Sequence, residues 1–169
     1  SFAMTQGRKP RKPRAISANP FGVALRRATR LTETEIASAI APARECLQKL
    51  KEGVATEHQH ALLHSILMIA HAIEEGGVVR GLCEQIDASL QAMTDIGARS
   101  LESGQWRQAV LFPHELDAIQ EMVDLHDYQL RQVSFGELQA VTRKLIAKTL
   151  SEGGEAVHVS YEDMGLVPA

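Results

Sequence analysis

The chain has 169 residues, of which 44% are hydrophobic, 23% charged and 4% aromatic. This length and apolar content fit one domain with its own core and exclude a wholly disordered chain. No apolar run approaches the roughly 18 residues that a membrane span needs, and no signal segment precedes Met4, so we expect no membrane partner. Ser1, Phe2 and Ala3 look like a cloning remnant.

The formal net charge of −3 conceals an uneven distribution along the chain. Residues 1–32 contain eight bases and no acid, whereas the remainder contains ten bases and all 21 acids. Such asymmetry suggests a polyanionic or other electrostatic partner, and phosphate binding by it would be sequence-independent and salt-sensitive. A solubilising tail is the alternative interpretation. The predicted nucleic-acid-binding residues are the eight cations Arg8, Lys9, Arg11, Lys12, Arg14, Arg26, Arg27 and Arg30.

The two cysteines, Cys46 and Cys83, both lie in helical patterns, where a free cysteine behaves as a small hydrophobic residue. Their number and spacing imply no disulfide framework. We therefore expect the protein in the reducing cytoplasm.

The N-terminal residues 1–19 are predicted to form a disordered basic arm. Two prolines within positions 8–14 remove backbone donors, and five like charges there repel one another. Asn19-Pro20 then supplies a helix N-cap followed by proline at the first helical position, which indicates a short helix over 20–29.

Five main helices are expected after this arm, because apolar residues recur with a helical period and turn signals separate the repeats. Three helices begin at capping boxes, formed by Thr32 with Glu35, Thr56 with Gln59, and Ser134 with Glu137. The predicted helices cover residues 33–51, 57–75, 78–103, 114–131 and 134–150.

Short connections between these helices favour antiparallel packing. Residues 105–113 form a connector, in which Val110, Leu111 and Phe112 could pack in an extended segment, and residues 155–169 are predicted to be a loose tail. The sequence thus predicts an all-α protein, with a single helical-bundle domain over residues 20–154.

Three histidines share one narrow stripe of the predicted helix 57–75: His60, His64 and His71. Histidines at i and i+4 can bind zinc or iron, which makes His60 and His64 metal candidates, and Glu57 has the Glu-x-x-His spacing of di-iron bundles. A second such motif is absent, and His71 lies about 10 Å beyond His64. We therefore expect no metal or other cofactor and favour partly buried, hydrogen-bonded histidines, with a pH-responsive interface as the alternative.

His126 lies on the apolar stripe of the predicted helix 114–131, between Asp124 and Asp127. A carboxylate beside an imidazole suits a general base, but neighbours one or two positions apart on a helix do not face each other. We expect His126 to be buried and hydrogen-bonded to another helix, with the aspartates solvated. No nucleophile elbow, phosphate loop or Cys-x-x-Cys motif is present, so we expect a protein that is not an enzyme.

The segments Leu50–Thr56, Gly76–Arg80 and Leu125–Leu130, which follow a Lys/Arg/Pro arm, carry a resemblance. Over about residues 8–152 the chain resembles the small all-helical proteins of unknown function carried on prophages and plasmids of proteobacteria. This resemblance implies a mobile-element context and transfers no activity, cofactor or catalytic residue.

These features favour a non-catalytic accessory or regulatory protein of a mobile genetic element, which binds a nucleic-acid or protein partner through its basic arm and bundle surface and could form a homodimer. Two alternatives stay open. The first is a host-directed, anti-CRISPR-like inhibitor of a defence system, whose acidic surface imitates a polyanion. The second is a metal-binding helical enzyme that uses His60 and His64.

Overall fold

A computed structural model describes residues 19–154 of the chain. It contains six α-helices and, within that range, no β-strand beyond an isolated bridge between Arg30 and Ser134. The all-α fold is confirmed, but the expected number of five main helices is too low, because the short N-terminal helix is a full element. The helices are α1 (Pro20–Ala28), α2 (Glu33–Glu52), α3 (Glu57–Glu75), α4 (Cys83–Ser100), α5 (Pro113–Gln132) and α6 (Phe135–Ser151).

The three predicted capping boxes open α2, α3 and α6. In each one the hydroxyl of the N-cap residue accepts a hydrogen bond from the backbone N–H three positions on, and the side chain at that position accepts from the N-cap N–H. These bonds satisfy backbone donors that the helix itself leaves unpaired. The starts of these helices could therefore be predicted to within a residue.

The predicted helix 78–103 is wrong at both ends, since α4 covers only Cys83–Ser100. At its start, the Glu74 carboxylate accepts hydrogen bonds from the backbone N–H groups of Gly81 (2.9 Å) and Leu82 (3.4 Å). Gly77 and Gly81 both have positive φ angles, which a continuing helix does not allow. This loop replaces the first turn of the predicted helix.

Helix α3 lies at the centre of the molecule and packs against α2, α4, α5 and α6. Its Leu63, Leu67, Ile69 and Ile73 are completely buried. Helices α2 to α5 form the main bundle, α6 covers α3 from outside, and α1 packs on α6. None of the helices in residues 19–154 combines the length and hydrophobicity that crossing a membrane requires.

The connector between α4 and α5 is fixed by polar side chains. The Trp106 Nε1–H donates to the Ala55 carbonyl (2.9 Å), and the Gln108 amide bridges Ala55 N–H (2.6 Å) and the Leu50 carbonyl (2.9 Å). Glu115, which is 1% exposed, pairs with Arg99 through contacts of 2.6 and 2.8 Å. The bonds of Trp106 and Gln108 hold the connector against the junction of α2 and α3, and the Arg99–Glu115 pair ties α4 to α5.

The predicted arm over residues 1–19 lies outside the described residues except for Asn19, and so does the predicted tail over 155–169.

Candidate nucleic-acid interface

Helix α1 is held to the rest of the molecule by polar contacts. The Arg26 guanidinium pairs with the Glu35 carboxylate of α2 and lies 4.3 Å from the centre of the Phe135 ring. None of the α1 side chains is buried. One of its cations therefore serves to attach the helix.

A glycine allows α1 and α6 to approach closely. A Cβ atom on Gly136 would lie 2.9 Å from the Arg27 carbonyl oxygen and 3.0 Å from the Arg27 Cβ. Beside it, the Phe135 N–H donates to the Thr29 carbonyl at 2.9 Å. The backbones at this contact leave no room for a side chain at position 136.

Together α1, the following Arg30 and α6 carry a set of cations outside the main bundle, hereafter the α1–α6 layer. Five of its cations are exposed and form no ion pair within residues 19–154: Arg27, Arg30, Arg143, Lys144 and Lys148. Arg27 and Arg143 line a groove between α1 and α6, whose other walls come from residues such as Gly22 and Gln139. Lys144 and Lys148 instead line the groove between α6 and α3, beside Glu75 and Glu152.

The main bundle has the opposite charge. Helices α2 to α5 carry 15 acidic and 5 basic side chains, and four of those bases form ion pairs (Arg44, Lys49, Arg99 and Arg131). The charge asymmetry of the sequence is therefore also an asymmetry in space across the described part of the chain.

Of the eight predicted nucleic-acid-binding residues, the structure places three. Arg27 and Arg30 are exposed on the α1–α6 layer, whereas the Arg26 charge is engaged with Glu35. The other five, Arg8, Lys9, Arg11, Lys12 and Arg14, lie outside the described residues. Arg143, Lys144 and Lys148 are not among the predicted residues, although three bases within six residues of a predicted helix were a usable signal.

The metal candidates His60 and His64 are packed against protein. The His60 Nε2–H donates to the Met93 carbonyl at 2.7 Å, and the His60 ring centre lies 5.2 Å from that of Trp106 and 6.4 Å from that of His64. Burial lowers the pKa of both histidines, and the charge of a protonated neighbour lowers that of His64 further. They fit the interpretation as partly buried histidines, hydrogen-bonded in the case of His60.

His71 is separate from this pair and lies 3.6 Å from Glu75 in a groove between α3 and α6. Across residues 19–154, no three histidine, cysteine or acidic side chains converge in a way that would hold a metal ion.

His126 is fully buried, as predicted, but its hydrogen bond stays on its own helix. Its Nδ1–H donates to Gln129 Oε1 at 2.9 Å, and it is the Gln129 amide that reaches the Ala70 carbonyl of α3 at 3.0 Å. The Nε2 atom finds no partner among the described residues, and burial lowers the pKa of the ring. His126 is therefore neutral at pH 7 and suited to packing.

The flanking aspartates are used in ion pairs. Asp124 binds Arg44 of α2 at 2.8 Å, and Asp127 binds Arg131 at 2.8 Å and Arg44 at 3.7 Å. The Asp124 side chain is 56% exposed, as expected for a solvated carboxylate, whereas that of Asp127 is 23% exposed, and both also pair with Arg44 on the neighbouring helix. These contacts tie the exposed edge of α5 to α2.

Comparison of the chain with protein-family models, with curated proteins and with solved structures finds no match. The α1–α6 layer, whose five exposed cations form no ion pair within residues 19–154, is thus the main guide to function.

Proposed function

We propose that this protein is a non-catalytic accessory protein that binds nucleic acid through the α1–α6 layer and the cationic residues that precede it. The segregation of charge supports this proposal. Five exposed cations on α1, Arg30 and α6 form no ion pair within residues 19–154, while helices α2 to α5 are acidic. A polyanion is attracted to the first surface and repelled by the second, so contact is confined to the layer.

The proposed binding is directed at phosphates. Arginine and lysine side chains on an exposed helix face neutralise phosphates without reading bases, and the groove between α1 and α6 supplies Arg27 and Arg143 from its two walls. We therefore expect similar affinity for unrelated duplex sequences and a steep loss of affinity with salt.

The test is fluorescence anisotropy with a labelled DNA duplex across a range of salt concentrations. Replacing two layer cations, Arg27→Gln with Arg30→Gln, should weaken binding and lower the slope of log K against log salt by about 1.8, since each phosphate contact contributes about 0.9. The matched control is Arg80→Gln with Arg107→Gln, which removes the same charge from exposed loop positions of the bundle.

Three outcomes are informative. Loss of affinity in the layer variant alone supports the proposal. Equal loss in both variants would show that net charge, not the layer, determines binding. Absence of binding at about 50 mM salt, where phosphate contacts are strongest, would end the proposal.

The mobile-element context, which rests on the resemblance of the sequence, fits this role. Sequence-independent binding suits a protein that accompanies mobile DNA between hosts, and we propose that setting for it.

A second candidate is an inhibitor that presents its acidic bundle to a basic host protein. Three exposed carboxylates of α4, those of Glu84, Asp87 and Asp95, favour it, because helical spacing places them on one line. A pulldown from host lysate that recovers a basic protein, lost after replacing these carboxylates with amides, would support this candidate. Recovery that persists in the amide variant would oppose it.

A further inference from the structure

Helix α1 turns its apolar face away from the protein. Phe21 and Leu25 are 74% and 59% exposed, and Ala24 and Ala28 are exposed beside them. The helical period places these four residues on one side, opposite the α6-facing residues Gly22, Val23, Arg26 and Arg27. An amphipathic surface helix ordinarily buries its apolar stripe, and α1 does the reverse within the described chain.

The order of large and small residues makes this face complementary to itself. If two α1 helices pair antiparallel about a twofold axis between positions 24 and 25, Phe21 of each copy opposes Ala28 of the other, and Leu25 opposes Ala24. Each large side chain then meets a small one, and each contact occurs twice, as in an isologous interface. We infer that a second copy of this chain is the occupant of this face.

The size of the face makes the pairing weak. Four side chains on a helix of nine residues can bury on the order of 600–800 Å² in total, with an aromatic side chain the largest contributor. Stable interfaces bury about 1,200–2,000 Å². The pairing is therefore conditional and does not produce a permanent dimer.

Electrostatic repulsion between the two basic N-terminal segments determines when the pairing can form. Residues 1–32 carry eight bases and no acid, so pairing of α1 brings two strongly cationic segments together. At low salt their repulsion keeps the chains apart, and neutralisation by phosphates or screening by salt removes it. On a nucleic acid the pairing makes binding cooperative, and that consequence rests on the proposed function. The pairing itself does not.

Sedimentation velocity of the full chain without nucleic acid tests the pairing. The Debye length falls from about 10 Å at 0.1 M salt to about 3 Å at 1 M, so a monomer at the lower salt should enter a concentration-dependent monomer–dimer equilibrium at the higher. Phe21→Ala, which opens a gap, and Ala28→Phe, which opposes two phenylalanines, should each weaken dimerisation at least about tenfold.

The combined variant F21A/A28F restores the large-to-small match and should recover dimerisation to within a few-fold of the parent chain. Val110→Ala is the control, because Val110 is 84% exposed on the connector between α4 and α5. Circular dichroism confirms that each variant is folded.

A chain that stays monomeric at about 1 M salt overturns the inference. A dimer that Phe21→Ala does not weaken, or that the double variant does not restore, places the interface elsewhere and also overturns it. If Phe21→Ala leaves sedimentation unchanged but weakens binding to a DNA duplex, the face contacts nucleic acid and the inference is wrong. Absence of DNA binding together with dimers at high salt refutes only the proposed function.

Discussion

Gly97 of α4 lies against the ring of His60, and replacing it with alanine tests whether that ring is held in place. A Cβ atom at position 97 would lie 2.9 Å from His60 Cε1 and 3.2 Å from Nε2. The ring is fixed by the 2.7 Å hydrogen bond to Met93 and by the Trp106 ring beside it, so it cannot yield cheaply. The added methyl group must either compress the contact or break the hydrogen bond.

Two opposing effects set the magnitude. Alanine is preferred to glycine inside a helix by about 0.5–1 kcal/mol. Overpacking a filled site costs about 1–3 kcal/mol, and a lost hydrogen bond a further 0.5–1.5 kcal/mol or so. After the helix preference is subtracted, we expect Gly97→Ala to lower the free energy of unfolding by about 2 kcal/mol, within a range of about 0.5–4 kcal/mol. In a His60→Ala background the imidazole ring no longer obstructs the added methyl group, and Gly97→Ala should raise the free energy of unfolding by about 0.5–1 kcal/mol.

Urea denaturation followed by circular dichroism at neutral pH measures all four chains of this cycle. Gly22→Ala on α1 is the control, since its Cβ atom would meet nothing closer than Asn19 Cβ at 3.9 Å, and it should not destabilise. If Gly97→Ala stabilises the chain that retains His60, the ring moves freely and the reasoning fails.

Two further predictions concern titratable groups. Burial lowers the pKa of His60, His64 and His126 below the ordinary 6.5, so below pH 6.5 the unfolded chain binds more protons than the folded chain. The free energy of unfolding should therefore decrease as the pH is lowered from 6.5, by up to about 1.4 kcal/mol per pH unit for each histidine. The Arg99 hydrogen bonds lower the pKa of the Glu115 carboxyl from 4.5, so its stabilisation is present above that value and is lost only at lower pH. Equal stabilities in urea at about pH 7.5 and about pH 5.5 would therefore contradict the first prediction. The hydrogen bond to Glu74 raises the pKa of the exposed Cys83 thiol, so Glu74→Gln should speed its alkylation by iodoacetamide while Glu75→Gln should not. Cys46, which is buried with a pKa raised to about 11, should stay unreactive in the folded chain, and equal rates for Cys83 in the two variants would refute the assigned role of Glu74.

Local sequence signals were sufficient for the helices that begin at capping boxes. The Thr32–Glu35 pair, for example, specifies both the cap and the residue that returns the hydrogen bond, and neither depends on distant parts of the chain. The start of α4 has no such signal. Its N-cap position is Leu82, and its boundary depends on Glu74, a residue of the preceding helix.

Pairings between distant residues could not be predicted from periodicity. Glu115 follows Pro113 in the pattern of a first-turn acid, but its burial depends on Arg99 arriving from α4 with two contacts under 3 Å. Trp106 lies on the connector between α4 and α5, and its ring packs against His60 while its Nε1–H donates to the Ala55 carbonyl. Such contacts require knowledge of which helices are neighbours, which the hydrophobic pattern does not supply.

For the same reason, only part of the candidate site could be predicted from the sequence. Its charge was visible as a run of bases, of which Arg27 and Arg30 belong to the α1–α6 layer. That α6 would lie beside α1 and add Arg143 depended on Gly136, whose lack of a side chain admits the Arg27 backbone. A glycine in the first turn of a predicted helix carries no such information by itself.

The contacts of α1 within the described chain do not fully explain why this helix is stable. A helix of nine residues is too short to be stable alone, since isolated helices need about 12–15 residues, and α1 buries no side chain in return for its ordering. The contacts that hold it, from Arg26 to Glu35 and from Phe135 to Thr29, fix its orientation with the apolar face outward. A partner that covers this face and neutralises the nearby cations would supply the missing free energy, which is why we place binding on α1 and not on the well-packed bundle.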